Sequence, residues 1–193
     1  MSSQPDQPLA YLKLASNFLQ LAEGACEQLV KSINPSVVVT KAPISPAQYA
    51  RRTRWSDHSI GVPILFNFFH GIELLLKGFL ATSNSTSTGH KLSQLLAKFE
   101  EMLPGTKLGA TIEKFVRNID QQSPLGEFIA MNSIHIDDWY EALKYPKSMR
   151  GKSFSHKKLK YGGGKTIQFW SSIGSGSALL RKQAVTLANS LRP

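Results

Sequence analysis

The chain has a single cysteine, Cys26, no acidic residue after Glu141, and no long apolar run free of polar interruption. One cysteine excludes an internal disulfide and every zinc site built on several thiolates. The first eight residues, MSSQPDQP, lack the basic and apolar pattern of a secretory leader, so the expected location is the cytoplasm. The most apolar stretch, 62–80, is broken by Asn67, His70, Glu73 and Lys77, which are costly at a bilayer centre. No membrane partner is expected. The five histidines, at positions 58, 70, 90, 135 and 156, lack the close pair spacings of metal sites. Neither a metal nor a cofactor is therefore expected, and no internal repeat or extended low-complexity segment occurs.

What the chain does have is length for one ordinary domain spanning 1–193, with 1–8 as a flexible amino terminus. Its net charge of +10 is unevenly spread. Residues 1–141 carry twelve Lys and Arg against all thirteen acids, whereas 142–193 carry eleven Lys and Arg and no acid. The excess belongs to the last quarter, where an anionic partner, RNA or an acidic protein, gains most.

Helical periodicity dominates the rest. Leu12, Ala15, Leu19, Ala22, Cys26, Leu29 and Ile33 recur at steps of three and four, which places them on one stripe, and Asn34-Pro35 ends the helix. Cys26 within that stripe reads as core. Ser45-Pro-Ala-Gln48 has the form of a capping box with proline at the first helical position. From Pro63 to Ala81 almost every side is apolar, as in the central helix of a bundle. Its polar residues, Asn67, His70, Glu73 and Lys77, fall within about 120° of arc, and Glu73 precedes Lys77 by four, the favourable order for an ion pair. That stripe is either a solvated edge, an internal ion pair, or a polar patch beside a nucleic-acid groove.

Further helices are expected from His90 past Phe99, from Leu108 to Ile119, from Ile136 to Lys144 and from Ala178 to Leu191. His135, Asp137 and Asp138 read as a helix start rather than a ligand set, because acids suit the amino-terminal end of the helix dipole. Between the last two helices lies a basic insertion, 144–170, holding RGKSFSHKKLKYGGGKT (150–166). Leu159 and Tyr161 alternate before the three glycines, and Ile167 and Phe169 alternate after them, so the expectation is a basic loop or a short β-hairpin. Gly162-Gly-Gly-Lys-Thr166 lacks the glycine a phosphate-binding loop needs five positions before Gly164, where Leu159 stands. The segment's Lys144, Lys147, Lys152, Lys157, Lys158, Lys160 and Lys165 are the candidate phosphate contacts, and Tyr145, Phe154, Tyr161, Phe169 and Trp170 are candidates to stack on unpaired bases.

Gly71-Ile-Glu-Leu-Leu-Leu-Lys-Gly-Phe-Leu80, then Gly89-His90-Lys-Leu-Ser-Gln-Leu-Leu96 after a polar loop, then Leu143-Lys-Tyr-Pro146, resemble in order and spacing the HEPN family. The resemblance covers about residues 9–191 and makes Glu73, Lys77 and His90 the polar residues of the family motifs. It implies an all-α, up-and-down bundle of four to five main helices, commonly a homodimer, in prokaryotic defence, toxin or RNA-processing systems. Many members are metal-independent ribonucleases that use an Arg, four to six residues, then His. Arg150 and His156 satisfy that spacing, with His156 to move a proton and Arg150 to stabilise charge on phosphate. Arg51 and Arg52 with His58 satisfy it too, but they precede the second main helix. The expected function is a binding or accessory module holding RNA or an acidic partner. The alternatives are an endoribonuclease using Arg150 and His156, and a structural bundle with no chemistry.

Overall fold

The computed structural model describes residues 7–35, 37–83, 89–148 and 150–191. Among them are eight α-helices: α1 (Gln7–Lys31), α2 (Pro46–Thr53), α3 (Asp57–Ala81), α4 (Leu92–Met102), α5 (Lys107–Val116), α6 (Pro124–Asn132), α7 (Ile136–Lys144) and α8 (Ile167–Ser190). The chain is all-α, as its periodicity implies, but with three long helices and five short ones rather than four or five main ones. α1 starts inside the segment 1–8 expected to be flexible; residues 1–6 lie outside the described residues, as do 84–88 of the polar loop.

α3 lies at the centre. It packs against α1 along most of its length, and α4, α7 and α8 also contact it. Fifteen of its residues are buried, so a helix long and apolar enough by composition to cross a bilayer serves here as the spine of a packed core. α1 runs antiparallel to α3: Gly71 faces Leu19, and Gly78 faces Leu12 seven residues away on each helix. A Cβ at Gly71 would come 2.7 Å from Leu19 Cγ, and one at Gly78 2.8 Å from Leu12 Cδ2, so these two glycines set how closely the helices approach. α8 covers the other side of α1, where Arg181 pairs with Glu23 at 2.6 Å.

The predicted stripe of α1 is buried from Ala15 to Leu29, but Ile33 is exposed and has left the helix with a positive φ. Cys26 is in the core, and burial, with a smaller contribution from Glu27, pushes its thiol up to about 12. The Ser45 capping box forms as read, with Ser45 Oγ accepting from Gln48 N and Gln48 Oε1 from Ser45 N. α3 begins six residues before Pro63, which sits inside the helix. α6 has no counterpart in the periodicity reading. Its start repeats the Ser-Pro signal, with Ser123 Oγ accepting from Gly126 N.

Of the two forms expected for the insertion, the loop is found and the β-hairpin is not: no strand occurs among the described residues, and the insertion holds one isolated antiparallel bridge, Lys147 to Ser153. It is a loop with two 3₁₀ turns, Lys157–Leu159 and Gly163–Thr166. The cause lies at the buried start of α3. Asp57 accepts hydrogen bonds from Tyr161 N and Gly162 N, both at 2.9 Å, and from Thr166 Oγ1 at 3.3 Å, so the amides a hairpin would use for pairing are occupied. Tyr161 and Gly163 adopt positive φ, which turns the chain directly into α8. α8 therefore starts at Ile167, eleven residues before the expected Ala178.

Candidate functional site

Glu73 lies inside the core with 1% of its side chain exposed. A bare carboxylate there would be strongly unfavourable, so its partners define the site. α3 supplies His70 and Lys77, three residues before and four after Glu73 on one helix face. α7 supplies Tyr140 and Lys144, again four apart, and His90 comes from the segment before α4. α7 is fixed against α4 because the Asp137 carboxylate caps it in trans, accepting from Ser93 N at 3.1 Å and Ser93 Oγ at 2.8 Å.

The carboxylate is divided between two sets of donors. Oε1 accepts from Lys77 Nζ and His90 Nδ1, each at 2.7 Å. Oε2 accepts from Tyr140 OH at 2.6 Å, and Lys144 Nζ lies 3.9 Å away. Burial alone would raise the Glu73 carboxyl, but the contacts from His70, Lys77, Tyr140 and His90 outweigh it and hold the group well below the usual carboxylate range. Burial and then the Glu73 hydrogen bond and charge push the Tyr140 phenol up, so it stays protonated and donates. Burial lowers Lys144, aided by Lys77 and opposed by Glu73 and Glu141, while its ammonium sits 3.9 Å from the Tyr140 ring centroid.

These contacts also assign the proton on His70. Tyr140 has one hydroxyl proton, and it goes to Glu73. His70 Nδ1, 3.0 Å from the Tyr140 oxygen, must then be the donor, which leaves Nε2 with a lone pair in the neutral ring. Nε2 makes no hydrogen bond to the described residues. The ring is held edge-on by Phe18 at 4.6 Å and stacked by Phe66 at 5.4 Å. His70 is 25% exposed and, with Lys144, forms the polar part of a hollow of about 500 Å³ whose other walls include Phe66, Leu143 and Tyr145. The result is a fixed base and a cation beside an aromatic wall, with a buried carboxylate orienting both.

The sequence candidates fall into three places. Glu73, Lys77, His90 and Lys144 meet in this cluster. Arg150 is exposed at a turn before Gly151, whose φ is +81°, and no hydrogen bond joins it to His156. His156 is bound into the scaffold: its Nε2 donates to Ala142 O at 2.7 Å, and its ring stacks on Phe128 at 5.4 Å. Of the remaining lysines, Lys152 donates to Asn132 O at 2.6 Å and Lys158 pairs with Glu127 at 3.1 Å. Lys147, Lys157, Lys160 and Lys165 form no ion pair with the described residues. Asn132 clamps the loop at Ser155, accepting from its N–H at 2.8 Å and donating to its carbonyl at 3.0 Å.

Sequence reading gave Tyr140 no role and placed His70 in the polar stripe without one. The signal for His70 was present, because a polar stripe on an otherwise apolar α3 needs a polar answer. Among the described residues, no group of three or more His, Cys, Asp or Glu is arranged to hold a metal ion. Comparison with protein-family models, with curated proteins and with solved structures gives no match for this chain.

Proposed function

We propose that this chain is a HEPN-like module that binds single-stranded RNA along the loop between α7 and α8. One observation carries the reading. The loop presents Lys147, Arg150, Lys157, Lys160 and Lys165 without carboxylate partners among the described residues, while Asp57 and Asn132 bind its backbone to the bundle and its own His156 side chain donates to Ala142 O of α7. A loop whose backbone is already anchored loses less freedom on meeting phosphate than a mobile basic tail does. Tyr145 and Tyr161, 56% and 54% exposed, flank the lysines; Tyr161 stacks one face on His58 at 4.6 Å, which leaves its other face and the Tyr145 ring for unpaired bases. Homodimeric assembly and a prokaryotic defence, toxin or RNA-processing setting belong to this proposal through the resemblance.

The test is fluorescence anisotropy of a labelled 12-nucleotide RNA across a salt series. Five phosphate contacts give a slope of log K against log salt of about −3.5, from about −0.7 per contact on a single strand. The triple variant K147A/K157A/K160A is expected to flatten it by about 2. Retention that ignores salt, or a slope the triple variant leaves unchanged, overturns the reading. Binding to an acidic protein but to no RNA overturns it as well.

A second reading, strand cleavage, is favoured by the Glu73–Tyr140–His70 chain rather than by Arg150 and His156. In this reading His70 Nε2 takes the proton of a ribose 2′-hydroxyl. That oxygen bonds to phosphorus as the P–O5′ bond breaks, and the leaving oxygen takes a proton from solvent. Lys144 neutralises charge on the phosphate. With EDTA present, His70→Gln is expected to slow cleavage by about a hundredfold or more while RNA retention persists. If His156→Ala abolishes cleavage and His70→Gln does not, the chemistry belongs to Arg150 and His156.

A further inference from the structure

The hollow beside Glu73 holds two polar groups whose hydrogen-bonding capacity is unspent. Its apolar walls are Val62, Pro63 and Phe66 from one face of α3, with Leu143 and Tyr145 from the end of α7. Lys144 is 22% exposed, yet its ammonium makes no hydrogen bond to the described residues: Glu73 Oε2 and the Tyr140 ring centroid are each 3.9 Å away. Lys77 already engages that carboxylate through its other oxygen, and Glu141, a charged neighbour on α7, forms no ion pair with Lys144. His70 presents the complementary gap. Its Nδ1 is committed to Tyr140, so Nε2 is an acceptor without a donor among the described residues, and the Phe18 and Phe66 rings hold the imidazole in place. An apolar hollow with an unspent cation and an unspent acceptor suits a ligand that brings an anion, a hydrogen-bond donor close beside it, and an apolar group.

We propose that this hollow binds an apolar amino acid whose nitrogen is acylated and whose carboxylate is free. The carboxylate meets Lys144 Nζ, the amide N–H donates to His70 Nε2, and the side chain packs against Phe66, Leu143 and Tyr145. Donor and anion stand on one carbon in such a ligand, so a single residue answers both groups. The volume of about 500 Å³ falls in the usual range for a small-molecule site. An amino acid with a free amine fits less well, because its ammonium would add a third positive charge beside Lys77 and Lys144. Inorganic phosphate brings the anion but nothing for the apolar walls. A free N-acyl amino acid and the carboxyl terminus of a peptide share this chemistry. The inference rests neither on RNA binding by the loop nor on strand cleavage, although a bound acid would occupy the base that cleavage uses and so inhibit it.

Calorimetry on the wild-type chain tests this from the ligand side. The probe is N-acetyl-leucine, compared with relatives that each lack one feature: N-acetyl-leucinamide lacks the carboxylate, N-acetyl-N-methyl-leucine the N–H, and N-acetylglycine the side chain. Loss of the charge-assisted bond is expected to weaken binding about tenfold or more, loss of the neutral one about fivefold, and loss of the side chain about tenfold. Two variants, checked for folding by circular dichroism, assign the partners. Lys144→Met is expected to bind acid and amide alike, and His70→Phe to bind the N–H and N-methyl acids alike. An acetylated peptide, Gly-Ser-Gly-Ser-Leu with a free carboxyl end, separates the sources. Equal affinity for the peptide and N-acetyl-leucine supports recognition of the terminal residue alone, and a peptide that binds about tenfold tighter supports a polypeptide end as the ligand. The proposal is overturned if neither probe gives heat with the folded wild-type chain, or if the amide binds as tightly as the acid. A folded Lys144→Met chain that still prefers the acid overturns it too.

Discussion

Glu73→Ala is expected to lower the free energy of unfolding by about 4 kcal/mol, the range measured when one partner of a buried ion pair is removed. The substitution deletes the acceptor for Lys77, His90 and Tyr140 and leaves Lys77 and Lys144 without their buried counter-charge. Urea unfolding followed by circular dichroism measures it, with the slope against denaturant unchanged if the unfolded state is the same. A loss under about 1 kcal/mol would mean that solvent already screens the cluster. The pH dependence gives an independent check. Because Glu73 is held below its unfolded value, its contribution is complete above about pH 4.3 and is lost as pH falls below that value. Glu73→Gln should therefore be less stable at neutral pH and show a shallower acid-side decline than wild type.

Asp57→Ala is expected to cost about 3 kcal/mol and to release the basic loop. It leaves Tyr161 N, Gly162 N and Asn34 Nδ2 without this acceptor, in a place where Asp57 itself is buried. Asn34 connects to the same knot, donating to Gly163 O and accepting from Asp57 N, so the end of α1, the start of α3 and the start of α8 loosen together. Trypsin is the direct readout. Wild type should resist cleavage after Lys157, Lys158, Lys160 and Lys165, and the variant should be cut there first. Equal resistance would show that Leu159, buried at the 3₁₀ turn, holds the loop without Asp57.

The helices with a clean apolar stripe, α1, α4, α5 and α7, were legible because burial on one face imposes a period that a sequence displays, and α3 because a helix apolar almost all round belongs at the centre. The start of α8 was not. Ser171-Ser-Ile-Gly-Ser-Gly-Ser177 reads as poor helix, yet Gly176 is where Phe115 meets the helix, so packing overrides propensity. The hairpin alternative for the loop fails for a related reason: alternation around three glycines suggests pairing, but Asp57, about a hundred residues earlier, takes the amides first. At the site, Glu73 and Lys77 were visible as a pair, being four apart. Tyr140 was not, because its partner lies 67 residues away and nothing local marks a tyrosine hydroxyl as one that will be buried against a carboxylate.

The two glycines that bring α1 close to α3 act at a distance from where they stand. Leu19, which fills the space beside Gly71, is the neighbour of Phe18, whose ring edge steadies His70. A methyl group at position 71 would act as a wedge, prising α1 outward and carrying Phe18 with it. The imidazole would then tilt although none of its own hydrogen-bonding partners had been touched. Helix spacing thus works as a lever on the basic nitrogen.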